Sequence, residues 1–110
     1  MSDAFANPLR GEVSLFLGEQ HFRLRPTFEA LVRIEQEVGS LFAIVERTTS
    51  GQVTLKDVVT VLWSCAVAGG SDVEMSELGE LIAENGISAA TPAFRAILTS
   101  ALAGPDSEKA

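Results

Sequence analysis

Thr54-Leu55-Lys56-Asp57-Val58-Val59-Thr60-Val61-Leu62-Trp63-Ser64-Cys65-Ala66-Val67-Ala68 decides the fold, because it reads as a strand or as a helix. The β-branched run Val58-Val59-Thr60-Val61 suits extended backbone. Two features favour helix. Thr54 followed three residues later by Asp57 is a capping-box start with Asp in place of Glu, and the apolar stretch is too long for a strand. As a helix it is apolar through Leu55, Val58, Val59, Val61, Leu62, Trp63, Cys65 and Ala66, leaving Lys56, Asp57, Thr60, Ser64 and Val67 on the remainder. A helix apolar around most of its circumference belongs at the centre of a molecule.

Working outward, Gly69-Gly70 breaks the chain, and a helix is expected from about Glu74 to Glu84, closed by Asn85-Gly86. Met75, Leu78, Leu81 and Ile82 form its apolar stripe, flanked by Glu77, Glu80 and Glu84. A last helix is expected to begin near Thr91-Pro92, a cap followed by proline at the first position, and to bury Phe94, Ile97, Leu98, Ala101 and Leu102 before Gly104-Pro105. Upstream, Pro26 keeps Arg25 extended, Thr27 caps a helix over Phe28–Val38, and Gly39 stops it. Leu31, Ile34, Val38, Phe28 and Val32 fill one broad arc of that helix. Ser40 then opens a short helix with Leu41, Phe42, Ile44 and Val45 on one face, ending before Thr48–Gly51.

The front of the chain reads as a β-hairpin. With Gly18-Glu19 as a Gly-first two-residue turn, Leu17 faces Gln20, Leu15 faces Phe22 and Val13 faces Leu24, which puts the large apolar pairs on one side. The other side carries Phe16 opposite His21, Ser14 opposite Arg23, and Glu12 opposite Arg25, an opposite-charge pair of ~0.2–1 kcal/mol. A one-residue slip would set Leu15 against a polar partner, so the register is well specified. Two strands are marginal alone in water, and the helices must cover the apolar face. The expected fold class is α+β: an N-terminal hairpin packed on a small bundle of four to five helices.

The full chain has 110 residues, with 15 acidic against 8 basic side chains, one His and one Cys. That length suits a single domain, expected from Asn7 to Ala103 with flexible ends at 1–6 and 104–110. One cysteine forms no internal disulfide. The first thirty residues hold no signal-peptide core, and no window approaches the roughly eighteen apolar residues of a membrane span. A cytoplasmic protein with no membrane partner is therefore expected. Residues 1–33 hold four Arg and four acids, whereas residues 34–110 hold four bases and eleven acids, the source of the net charge of −7. That balance argues against nucleic acid as a partner, because phosphate backbones are held by clustered Lys and Arg.

Signals for chemistry are weak. His21 and Cys65 are the only residues of their kinds, one on a strand's outer face and one inside the central helix, so a Cys–His nucleophilic pair is not expected. Cys65 reads as a small buried hydrophobe, and His21 as a surface residue stacked beside Phe16. A calcium loop starting at Asp72 needs Gly at its sixth position and Glu at its twelfth, and meets Glu77 and Ala83 instead. Gly69-Gly70 is not followed by Lys-Ser/Thr, so no phosphate loop is present. No metal, cofactor or catalytic residue is expected. One residue breaks the pattern: Glu35 falls inside the apolar arc of the Phe28–Val38 helix, where a carboxylate must reach solvent, find a partner or become neutral. It is expected to be buried, pairing with Arg23 or Arg25 of the hairpin or capping backbone N–H groups of a loop.

Asn7-Pro8-Leu9-Arg10-Gly11-Glu12-Val13, Leu17-Gly18, Phe22-Arg23-Leu24-Arg25-Pro26-Thr27-Phe28, Ile34-Glu35 and Gly39-Ser40-Leu41 together resemble the opening of the tail assembly chaperones of gene transfer agents and related tailed bacteriophages and prophages. Further along, the Thr54–Asp57 helix start and Glu77-Leu78-Gly79-Glu80-Leu81-Ile82 are similar in layout. The resemblance implies a non-enzymatic protein that binds the tape measure protein in the producing cell, assists its delivery to tail tube subunits, and is absent from the finished particle. The tail tube protein is a further implied partner, and self-association stays open. Such a holding partner needs an apolar groove in a charged exterior. The candidate groove lies around Trp63 and Val67, with a core position the competing reading for Trp63; Phe16 and His21 on the hairpin are the other partner-binding candidates. Two rival functions are a permanent structural subunit of a phage-like tail or connector, and an acidic protein that blocks a basic partner through Glu77, Glu80 and Glu84.

Overall fold

The computed structural model describes residues 11–103. The ends read as flexible, 1–6 and 104–110, lie outside the described residues, as does the expected start of the ordered body at Asn7. In chain order the elements are β1 (Val13–Leu17), β2 (Gln20–Leu24), α1 (Phe28–Val38), α2 (Leu41–Thr49), α3 (Leu55–Ala68), α4 (Met75–Asn85) and α5 (Ile87–Ala103). The fold is α+β, a two-stranded antiparallel hairpin followed by helices.

The hairpin has the register that its apolar alternation specifies: Val13 opposite Leu24, Leu15 opposite Phe22, Leu17 opposite Gln20. Leu15, Leu17, Phe22 and Leu24 are buried against the helices. Gly18 turns the chain at φ +63°, backbone that a side chain rarely adopts. Beyond the paired residues, Glu12 is buried and its carboxylate lies 3.2 Å from Arg25 Nε.

The decisive stretch is a helix, and α3 is central: α1, β2, α4 and α5 all pack on it. Both halves of its capping box form, the Thr54 hydroxyl accepting from the Asp57 N–H and the Asp57 carboxylate from the Thr54 N–H. Its faces differ from the helical-wheel expectation. Asp57, Thr60 and Ser64, expected on the less apolar remainder, are buried, whereas Leu55, expected among the apolar positions, is 46% exposed. Leu55 is the first helical residue, whereas Asp57 is enclosed because Arg47 of α2 grips it through two hydrogen bonds, of 3.0 and 2.7 Å. Arg47 also donates to the Val38 carbonyl at 3.0 Å, so one guanidinium ties together α1, α2 and α3. Burial works to raise the Asp57 carboxyl, but the hydrogen bonds from Arg47 and the Thr54 backbone outweigh it and hold the group below its ordinary value.

At the other end of α3, β2 and the residue that follows it bond to the helix's last carbonyls. Arg25 N–H donates to the Cys65 carbonyl at 2.9 Å and the Arg23 guanidinium to the Gly69 carbonyl at 3.2 Å. The Cys65 carbonyl, which also accepts the Gly69 N–H, thus gains a second backbone donor, and the negative end of the helix dipole meets a cation. Gly69 lies so close to β2 that a Cβ there would collide with the Arg23 carbonyl oxygen.

Four further expectations need correction. Phe28, Val32, Phe42 and Leu102, placed on buried faces by the wheel, are exposed, Phe28 at 81% and Phe42 at 71%. The buried line of α1 is Ala30–Ile34, flanked by half-buried Leu31 and Val38, so the true arc is rotated away from Phe28. That rotation also leaves Glu35 exposed. Helix α2 runs on through Thr48 to Thr49 instead of stopping before them. Helix α5 starts at Ile87, one turn before Thr91-Pro92, and carries Pro92 inside it. Pro92 has no N–H to donate to the Ser88 carbonyl one turn back, and both residues lie at exposed positions.

Candidate functional site

Each residue singled out by sequence has a definite place. Phe16 and His21 sit side by side on the hairpin's outer face, ring centroids 4.6 Å apart, with His21 Nε2 3.1 Å from the Ser14 hydroxyl. Arg23 and Arg25 face the end of α3 and Glu12 respectively. Glu35 meets no arginine: its carboxylate accepts the Leu41 N–H at 3.0 Å, capping the first turn of α2. The backbone-capping alternative is the one that obtains, at an exposed position. Cys65 is buried, which pushes its thiol up to about 12 and leaves it protonated and inert.

Trp63 and Val67 are both half-buried. The Trp63 indole N–H donates to the Val73 carbonyl at 2.8 Å, and the Arg33 guanidinium lies 5.6 Å from its ring centroid. These contacts fasten α1 and the connection after α3 to the central helix, so Trp63 acts as a fitted, partly covered anchor between elements.

Two surface depressions lie elsewhere. One runs beside α4, lined by Val73 and Leu81 together with Gln20, Glu77, Glu80 and Glu84. The acidic side of α4 is thus one wall of a shallow hollow. The other, of about 230 Å³, opens between α2 and α5. Val45, Thr48 and Thr49 line it from α2, and Arg95, Leu98, Thr99 and Leu102 from α5. No local signal in the sequence marks this groove, since Thr48 and Thr49 read as lying past the end of the short helix and its two walls lie some fifty residues apart.

Among the described residues no group of three or more His, Cys, Asp or Glu could hold a metal ion, and no helix is long and apolar enough to cross a membrane. What the surface offers is exposed apolar side chains, an acidic hollow and an apolar groove. A family model described as "Phage tail tube protein, GTA-gp10" matches residues 10–104. The chain belongs to that family. Kinship with tail proteins of phages and gene transfer agents, drawn above chiefly from motifs within residues 7–41, therefore extends through α5, and a tail-associated role follows from it. The family description names a tail tube protein, not a tail assembly chaperone. No curated protein and no solved structure matches the chain. In this member of the tail family, the surfaces that the described residues leave open to partners include the α2–α5 groove, the α4 hollow, and the exposed Phe16, Phe28 and Phe42.

Proposed function

We propose that the protein is a tail assembly chaperone: it holds the tape measure protein in the cytoplasm of the producing cell, passes it to tail tube subunits, and catalyses no reaction. The observation that carries this reading is an apolar groove bordered by two helices on a chain whose net charge is −7. Apolar surface binds another apolar surface, and the surrounding charge keeps the holder in solution. A tape measure protein needs such a partner while tube subunits have yet to cover it.

A second reading is favoured by the family description itself, which names a tail tube protein. A tube subunit stacks on many copies of itself through large, self-complementary or ring-closing interfaces. Like charge of −7 on every copy opposes that stacking. Co-expression separates the two readings. With this chain present, the tape measure protein should stay soluble and co-purify with it. A tape measure protein that remains insoluble, together with self-assembly of this chain into rings or tubes, would overturn the chaperone reading.

A further inference from the structure

The α2–α5 groove has a feature that specifies its occupant. Its α5 wall presents residues 95, 98, 99 and 102, and its α2 wall residues 45, 48 and 49. These are the i, i+3, i+4, i+7 spacings with which one helix receives another. Of the leucines lining it, Leu98 is buried and Leu102 is 41% exposed. At about 230 Å³ the groove has room for a few aliphatic side chains and too little for a helix roughly 10 Å across. A helix would therefore lie along the seam and insert one apolar edge.

Charge specifies the rest. Residues 34–110 hold eleven acids and four bases, yet among the described residues the one ionic group lining this groove is a base, Arg95. Arg95 is exposed and makes no ion pair among the described residues. A second copy of this chain would bring a further −7 to the contact. We infer that the groove receives one amphipathic α-helix of the partner, its apolar edge between α2 and α5 and a carboxylate on its flank paired with Arg95. The identity of that partner as the tape measure protein rests on the chaperone reading above.

The test measures the affinity of the full chain for overlapping 25-residue peptides that tile the tape measure protein. Leu102→Glu and Thr99→Glu, both at exposed positions, should weaken the best-binding peptide at least tenfold with unchanged Tm. Arg95→Glu should weaken it several-fold, by a margin that shrinks as salt rises, while Arg95→Lys stays near wild type. Peptide binding that survives all three charge-introducing changes would overturn the groove assignment and leave the chaperone reading standing. Weakening by Phe16→Glu in their place would move the site to the hairpin. A tenfold gain on removing residues 104–110 would make the chain's own C-terminal segment the occupant. Absence of binding by any peptide, with no complex on co-expression either, would bring down the chaperone reading and this occupant with it.

Discussion

The two ends of α3 are held by different physics. At its N-terminus the bonds are polar and made by side chains: the Thr54–Asp57 capping box, closed by the two-pronged grip of Arg47. At its C-terminus the hold combines donors on backbone carbonyls, Arg25 N–H on Cys65 and the Arg23 guanidinium on Gly69, with a close approach that sets Gly69 flush against β2. The first end depends on charge and therefore on pH; the second depends on the absence of one methyl group. The same helix thus carries one joint that tunes and one that does not.

The largest expected effect is at the steric end. Gly69→Ala sets a Cβ against the Arg23 carbonyl oxygen, a backbone atom that cannot swing aside, so β2 must shift. The loss should be about 3 kcal/mol, at the upper end of overpacking costs, and denaturant unfolding measures it. A loss under about 0.5 kcal/mol would show that β2 slides freely and the contrast fails.

Next comes the polar end. Asp57→Ala removes a cap and a charge-assisted pair together, and should cost about 2 kcal/mol at neutral pH. The sign of its pH dependence follows from the direction of the shift. Asp57 is held below its ordinary value near 3.9, so its contribution is fully present above that value and fades as pH falls through the folded-state value. Acid titration of stability should therefore be shallower in Asp57→Asn than in wild type, while Gly69→Ala keeps the wild-type slope.

A smaller effect, of opposite sign, lies between the two ends. The Thr60 and Ser64 hydroxyls are buried in the middle of α3 without hydrogen-bond partners. Thr60→Val keeps the shape, removes an unsatisfied group, and should raise stability by about 1 kcal/mol in thermal unfolding. Smallest of all is Glu35→Ala. Like Asp57, Glu35 bonds a backbone N–H at a helix start, but it is exposed. Water replaces what the substitution removes, so its Tm should stay close to wild type, sharpening the rule that burial sets the worth of such a cap.

These differences also mark what could be read from residues alone. The hairpin register was legible because strand alternation has a period of two and Gly18-Glu19 marks the turn. Thr27, Ser40 and Thr54 were legible as caps because each bonds only three residues ahead. Less legible were the faces of α1 and α2, since a helical wheel gives the apolar residues and not the line along which a neighbour packs. Phe28, Val32 and Glu35 all follow from the one rotation of α1, and Phe42 is the same kind of case on α2. Arg47 with Asp57 joins two helices ten residues apart, and no local spacing rule links them. Thr91-Pro92 imitated a helix start that the alanines before it had already made. The groove is the clearest case: Val45 and Thr48 border it only because Leu98 and Leu102 arrive from the far end of the chain.

The most direct test of a chaperone role is a quantitative count of this chain, by mass spectrometry, in purified particles and in complexes isolated from producing cells. The chaperone role predicts the chain bound to the tape measure protein in cells and absent from finished particles. Many copies per particle, in proportion to the tube, would contradict it and make the chain a tube subunit.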